Sequence, residues 1–213
     1  MSDSVSRAAF LLIVSLVLPA AAEPAAIDPS TAPADASARI EVLHASLLGV
    51  MRNADALGYA GREEELRDVL PGVFDVEFMA RKALGRHWKD ADPEARKRYV
   101  DAFTRFMVAN YAGRFDGFSG QSFETQGAEP ARLDTVVVET VLHNPAGEDV
   151  ALNYRMRQTE GGWKVIDVYL DGTVSELALR RSEFSSIVKR GDLDGLIAAL
   201  DEKIAKLRAG EEG

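Results

Sequence analysis

The chain has 213 residues, of which 46% are hydrophobic and 28% charged, a composition typical of a globular protein with one domain or at most two small ones. Its 34 acidic side chains outnumber 25 basic ones, and the net charge of -9 opposes binding to nucleic acid. The chain contains no cysteine, which excludes disulfides, thiolate metal ligands and thiol nucleophiles.

Residues 1–22 have the pattern of a secretory signal peptide. Arg7 precedes an apolar run from Ala8 to Leu18, and Ala20 and Ala22 form an A-x-A cleavage site. The run is shorter than the ~20 residues that span a bilayer core, so a retained membrane anchor is the less favoured alternative. We therefore predict a cleaved signal peptide and a soluble, extracytoplasmic mature protein.

Residues 23–38 consist mainly of Ala, Pro, Asp, Ser and Thr and offer little to bury. This composition predicts a flexible linker. We expect the folded domain to begin near Arg39 and to span residues 39–209 as a single unit.

The first half of this domain has apolar residues at helical spacing. The pattern predicts helices around Ile40 to Met51, Leu66 to Leu70 and Asp75 to Trp88. The clearest helix follows them, because Asp92 is a typical N-cap and Pro93 suits the first helical position.

After Gly113 the apolar pattern changes to the two-residue alternation of strands. Residues Val150 to Met156 alternate, whereas Val136 to Leu142 are apolar on nearly both faces and predict a strand covered on both sides. Further strands at Trp163 to Leu170 and Ser122 to Gln126 complete a meander of about four antiparallel strands.

Two more helical patterns, through Val174 to Val188 and Leu193 to Leu207, complete the domain. Helices followed by strands and then by helices indicate an α+β domain. We expect the helices to pack on one face of a curved antiparallel sheet.

The sequence contains no H-E-x-x-H, G-x-S-x-G, Walker-loop or G-x-G-x-x-G motif, and its three histidines are scattered. We predict no metal, no cofactor and no catalytic residue. Asp167 is the most suggestive carboxylate, because strand alternation places it with Trp163, Val165 and Tyr169. In that arrangement it could be the general base of an isomerase or dehydratase, with Tyr154 or Tyr169 as hydrogen-bond donor.

An alternative for the same strand places its other face in the core. Ile166, Val168 and Leu170 then face the helices, and Asp167 pairs with Arg155 or Arg157 on the neighbouring strand. This second interpretation is the one we favour.

Arg181 lies four residues after Leu177 and three before Phe184, within the apolar stripe of a helix. Such an arginine either extends its head to the surface or binds a carboxylate or phosphate through its planar fork. Arg180, Lys189 and Arg190 make the same helix locally basic on an acidic protein.

The segment Trp163 to Gly172, followed by Val174-Ser175, resembles the aromatic-basic-Val-x-Asp-Val-x-x-x-Gly-x-Ser segment of periplasmic MlaC-type phospholipid-binding proteins, also called the toluene-tolerance family. The similarity extends from Arg39 to Leu207. It includes, in the right order, Phe74-Asp75, Met79-Ala80, Leu84-Gly85, Trp88, Phe103, Tyr111, Arg181, Phe184 and the Leu193/Leu196 helix.

The sequence departs from this family at Leu179-Arg180-Arg181, where an Asn-Tyr-Arg run is common, and over residues 171–177. In these positions it is more similar to the HpnM branch, which is encoded with hopanoid biosynthesis. The departure concerns the identity of the ligand, a phospholipid or a hopanoid-like lipid, and leaves the carrier role in place.

The resemblance implies an NTF2-like fold that encloses an apolar cavity. It also implies a periplasmic shuttle that moves lipid between the inner and outer membranes, with an inner-membrane ABC transporter carrying an MCE-domain protein and an outer-membrane acceptor as partners. On this basis we expect Arg181 to contact the lipid head group or a partner. We expect the lipid tails to contact Phe103, Phe106, Met107, Val138, Leu152, Tyr154 and Trp163.

Two other functions remain as alternatives to the shuttle. One is the NTF2-like isomerase or dehydratase with Asp167 as base. The other is an adaptor that organises a membrane complex and has a filled core.

Overall fold

The computed structural model describes residues 31–211. The predicted signal peptide and residues 23–30 of the predicted linker lie outside this range. Within it the helices are α1 (Ala32–Arg52), α2 (Ala54–Val73), α3 (Val76–Leu84), α4 (His87–Asp90), α5 (Pro93–Arg114), α6 (Glu176–Arg190) and α7 (Leu193–Ala209). The strands are β1 (Ser122–Ala131), β2 (Thr135–His143), β3 (Val150–Thr159), β4 (Gly162–Leu170) and β5 (Val174–Ser175).

The strands form one antiparallel sheet in the order β1-β2-β3-β4-β5, so each strand pairs with its neighbour in the chain. Helices α1, α2, α3 and α6 contact the sheet, and α5 packs on α2, α3 and α7. The predicted α+β fold with a curved antiparallel meander is confirmed. The short β5, which pairs with the end of β4, leads directly into α6.

Only one face of β2 is buried by the helices. Val136 and Val138 are buried on that face, whereas Glu139 on the other face is exposed and Val137 and Val141 are half-buried. The prediction that this strand is covered on both sides is therefore wrong. β-Branched residues suit the pleated surface of an internal strand even where one face is open, so the valines do not require a second layer.

Helix α1 begins at Ala32, before the predicted start of the domain at Arg39. Ala32 and Ala36 are buried in the same core as Ile40. The linker prediction is thus wrong from residue 32 onward. Alanine has the strongest helix propensity and its small side chain permits close packing, so an Ala-rich segment can be a buried helix as readily as a linker.

Among the helices of residues 31–211, four begin with a side-chain cap, in which an Asp or Ser oxygen accepts a hydrogen bond from a backbone N–H in the first turn. The predicted N-cap Asp92 is among them. The cap pairs are Asp75 with Phe78, Asp92 with Ala95, Ser175 with Ala178, and Asp192 with Gly195.

A bulge at Ile166 interrupts the pairing of β4 with β3. Met156 pairs with Val165 and Tyr154 with Val168, while Ile166 between them is an additional residue. Because Met156 and Tyr154 share a face of β3, Val165 and Val168 also share a face of β4. Strict alternation predicts that Val165 and Val168 lie on opposite faces. The interpretation that places Trp163 and Val165 on the inner face is therefore correct before the bulge, and the one that places Val168 and Leu170 there is correct after it.

Candidate functional site

A cavity of about 230 Å³ lies between α5 and one end of the sheet. Three strands supply one wall with Leu142, Val150, Leu152, Tyr154, Val168 and Leu170. The helical side supplies aromatic and thioether side chains, which are Phe74, Met79, Phe103, Phe106, Met107, Tyr111 and Phe115. Both walls are apolar, which is the property that an apolar ligand requires.

The inner face of the sheet has two halves. The cavity half comprises the six sheet residues named above, and the packed half comprises Val136, Val138, Met156, Trp163 and Val165. No residue of the packed half lines the cavity. The boundary on β4 lies at the Ile166 bulge.

The junction between α2 and α3 is anchored on β4 in the packed half. The Asp75 N–H donates to the Val165 carbonyl oxygen at 2.8 Å. Arg39 of α1 and Lys164 of β4 both donate to the carbonyl oxygen of Gly72. These contacts hold α1 and the junction close to this half of the sheet.

Five of the residues expected at the lipid tails lie on the cavity wall: Phe103, Phe106, Met107, Leu152 and Tyr154. Val138 and Trp163 do not line the cavity, because they belong to the packed half and are 0% and 7% exposed. Alternation along a strand identifies the face of a residue. It does not locate the point along the strand at which packing gives way to a cavity.

Arg181 does not line the cavity. Its side chain is exposed, and its guanidinium lies against Gly85, where an added Cβ would be 3.2 Å from Nε. Arg180 lines the cavity instead. It lies three residues after Leu177 and four before Phe184. Helical spacing alone therefore places either arginine in the apolar stripe of α6.

Four polar residues, Asn110, Arg114, Glu176 and Arg180, also line the cavity, and we call them the polar rim. Oε1 of Glu176 is 3.1 Å from Nη1 of Arg114, and its Oε2 is 3.8 Å from Nη2 of Arg180. Thus one carboxylate lies between two guanidinium groups. The Arg114 side chain is 50% exposed, which places the rim where the cavity meets solvent.

Arg180 is held by further contacts. Its Nη1 is 3.2 Å from Oε2 of Glu183, and its guanidinium carbon lies 5.0 Å from the ring centroid of Phe106. The side chain is only 20% exposed. A cation over an aromatic ring is stabilised by the ring quadrupole, so Phe106 and Glu183 both help to hold Arg180 at the cavity.

The hydroxyl and imidazole groups near the cavity are uncharged at neutral pH. Burial raises the pKa of Tyr154 and of Tyr111, the latter with help from nearby Glu176. Nε2 of His44 lies 3.3 Å from the Tyr154 hydroxyl, and burial lowers the pKa of His44 to about 4. Charge at the described cavity is therefore confined to the polar rim.

Asp167 is not a cavity residue. Its carboxylate accepts hydrogen bonds from Ser175 Oγ at 2.6 Å and from the backbone N–H groups of Val168 and Leu177 at 2.9 and 3.1 Å. These bonds fix the beginning of α6. The position does not suit a general base acting on a ligand in the cavity.

The arginine pairing expected for Asp167 is also wrong. Arg155 donates to Thr135 Oγ1 at 3.1 Å, and Arg157 donates to Asp75 Oδ2 at 2.6 Å. Asp167 is satisfied by the start of α6 because β5 brings that helix back to the end of β4.

In residues 31–211, no group of three or more histidine, aspartate or glutamate side chains is arranged to hold a metal ion. Over the same range, no helix combines the length and the apolar character needed to cross a membrane.

Sequence reasoning missed Asn110, Arg114 and Glu176 of the polar rim. A signal was present for two of them, because Asn110 and Arg114 follow Phe106 at intervals of four residues on the face of α5 that lines the cavity. Glu176 gave no such signal, since a glutamate in the first turn of a helix is common for dipole reasons alone.

A helical layer over one face of a curved antiparallel sheet, with an apolar cavity and a small polar rim between them, defines a ligand-binding α+β protein. The family model described as MlaC protein matches residues 42–202. The chain therefore belongs to the MlaC family.

Two individual matches agree with this assignment. The chain is 24% identical over 144 residues to the intermembrane phospholipid transport system binding protein MlaC of Haemophilus influenzae, a match that covers 65% of this chain and 66% of that protein, just under two thirds of its length. It is also similar to the phospholipid-binding protein of Ralstonia solanacearum, whose structure is in complex with a phospholipid. That match has a TM-score of 0.70 and 27% identity, covering 83% of this chain and 98% of the other.

Proposed function

We propose that this protein is a periplasmic lipid carrier that holds the acyl chains of a lipid in its cavity and moves between the inner and outer membranes. The observation that carries the proposal is the cavity itself, with apolar walls on two sides and charge only at the polar rim. This distribution matches the distribution of polarity in a membrane lipid.

The energetic need for such a carrier follows from hydrocarbon transfer. Each methylene exposed to water costs about 0.8 kcal/mol, so a chain of ~14 methylenes costs about 11 kcal/mol. A cavity that covers the chain removes most of this barrier. The role requires binding and release, and no covalent step.

The relatives support the same role. The Haemophilus protein is named as a binding protein of an intermembrane phospholipid transport system, and the Ralstonia protein was solved with a phospholipid. We extend this to the present chain and propose an inner-membrane ABC transporter with an MCE-domain protein as donor or acceptor, together with an outer-membrane partner. Export through the predicted signal peptide would bring the protein to the periplasm.

Neither alternative function has comparable support. The isomerase or dehydratase needs Asp167 at the ligand, but its carboxylate is bonded to the start of α6. The adaptor with a filled core does not explain the cavity.

The proposal is tested by purifying the protein from a periplasmic extract without detergent and measuring extracted lipid by mass spectrometry. We expect about one lipid per protein. Leu177→Trp should lower this value because Leu177 lines the cavity. Leu179→Trp is the matched control on the same helix, since Leu179 is 54% exposed and outside the cavity. A parent protein without stoichiometric lipid would contradict the carrier.

A further inference from the structure

The polar rim indicates what kind of head group the cavity accepts, an inference that rests on the proposed carrier function. We propose that Arg114 and Arg180 together bind the phosphodiester group of a phospholipid, and that Glu176 competes with this phosphate for the two guanidinium groups.

The cavity-lining face of α5 becomes more polar toward its exposed end. Phe103, Phe106 and Met107 line the cavity, followed by Asn110 and then by Arg114 at the exposed end. From Phe103 to Arg114 the helix rises about 16 Å. Polarity thus increases along one helix face from hydrocarbon to amide to cation, as it does in a phospholipid from chain to ester to phosphate.

The two arginines of the rim have more hydrogen-bond donors than their contacts in the protein use. A guanidinium group has five N–H donors in a planar fork. Arg114 donates one hydrogen bond, to Glu176, and Arg180 donates one, to Glu183. Each arginine therefore has further donors for the oxygens of a phosphate, for which its geometry is well suited.

The polar rim carries a net positive charge. At the rim, Arg114 and Arg180 carry two positive charges against the single negative charge of Glu176. Glu183, the other partner of Arg180, is also paired with Lys203. The cavity entrance is thus locally cationic on a chain with a net charge of -9, and one phosphodiester would neutralise it.

Glu176 already shows how an anion binds at this point. Its two carboxylate oxygens face the two arginines at 3.1 and 3.8 Å. A phosphodiester also presents two charged oxygens on one atom, so it can take the same place. When Glu176 moves aside it remains in the first turn of α6, where the helix dipole stabilises a negative side chain.

This arrangement distinguishes two classes of ligand. A phospholipid uses both the apolar walls and the arginines, whereas a hopanoid-like lipid without an anionic head group leaves the arginines to Glu176. The rim therefore favours a phospholipid as the cargo.

The test compares two lipids with identical dioleoyl chains, phosphatidylglycerol and diacylglycerol, in displacement of a chain-labelled fluorescent lipid from delipidated protein. Arg180→Gln and Arg114→Gln should each lower the affinity for phosphatidylglycerol by about tenfold, the loss expected for a hydrogen bond to a charged group. Their affinity for diacylglycerol, which has no phosphate, should fall much less. Arg181→Gln is the matched control, because Arg181 lies outside the cavity.

Glu176→Gln provides the opposite test, since it removes the competing charge. It should raise the affinity for phosphatidylglycerol several-fold and change the affinity for diacylglycerol much less. Thermal unfolding of each variant would identify any loss of folded protein.

Equal losses for both lipids in Arg180→Gln, or weaker binding of phosphatidylglycerol to Glu176→Gln, would overturn the head-group site while leaving the carrier intact. Failure of the parent protein to bind either lipid would instead overturn the carrier function itself.

Discussion

The cavity half and the packed half of the sheet are formed by the same strands and present apolar residues on the same face, yet only one of them is filled. In the packed half, α1 and the α2–α3 junction are tied to β4 through the Gly72 carbonyl and the Asp75 N–H. In the cavity half, α5 contributes large side chains on the far side of an open space. The cavity therefore results from how the helices are anchored, and not from a different kind of strand.

The Ile166 bulge lets one strand serve both halves. Without the additional residue, Val165 and Val168 would lie on opposite faces. With it, both face the helices, and Asp167 is directed to the start of α6. The bulge thus continues the apolar face and positions α6, which carries Glu176 and Arg180 of the polar rim.

The largest expected effect is the loss of stability in acid that is caused by His44 of α1, which lies beside the cavity residue Tyr154. Burial lowers the pKa of His44 to about 4 from 6.5, so the folded protein keeps this imidazole neutral. The unfolded chain binds the proton more readily. The contribution of neutral His44 to the free energy of unfolding is therefore fully present above pH 6.5 and is lost as the pH falls to about 4. The total loss is about 3 kcal/mol in the free energy of unfolding, measured by urea titration.

His44→Phe is the control for this pH dependence. The imidazole is stacked on Phe123 with the ring centroids 3.9 Å apart, so a second aromatic ring can occupy its place. We expect the stability of the variant to depend less steeply on pH between 6.5 and 4 than that of the parent. An identical dependence in both proteins would show that carboxylates, and not His44, cause the acid response.

A pair of tryptophan substitutions separates the two halves directly. Val138→Trp adds volume to the packed half, where Val138 is 0% exposed, and should lower the free energy of unfolding by about 1–3 kcal/mol. Leu152→Trp adds volume where the cavity provides space, so it should cost less stability and should instead reduce bound lipid. Urea titration and lipid extraction measure the two effects. Similar destabilisation by both variants would mean that the halves do not differ in packing.

Much of the fold was predictable from the sequence because the signals are local. Asp92 followed by Pro93 marked the start of α5, and alternation from Val150 to Met156 identified β3 and its buried face. The start of α1 was not predictable in the same way, since an Ala- and Pro-rich segment suits both a linker and a first helical turn.

The candidate site was less predictable, because it depends on distances between elements. The expected tail contacts on α5 do line the cavity. Val138 and Trp163 do not, because alternation gives the face of a strand residue and not its distance from the cavity. Ile166 is an ordinary strand residue, so the sequence gives no signal for the bulge. Arg180 and Arg181 fit the same stripe, and only the packing of α6 decides which one reaches the cavity.

The smallest expected effect concerns Asp167, which supports the cavity without lining it. Asp167→Asn replaces a carboxylate that accepts bonds from Ser175 and Leu177. We expect a loss of about 1–2 kcal/mol in the free energy of unfolding and unchanged lipid binding by the folded fraction. Loss of binding at full stability would mean that Asp167 acts on the ligand itself.

The central claim is that lipid chains occupy the cavity half and not the packed half. Methyl NMR with phosphatidylglycerol carrying a nitroxide on its acyl chain tests this claim most directly, because the unpaired electron broadens nearby methyl signals. We expect strong broadening for Leu152, Leu170 and Leu177 of the cavity, and much weaker broadening for Val136 of the packed half. Equal broadening of these four residues, or broadening of Val136 alone, would contradict the claim.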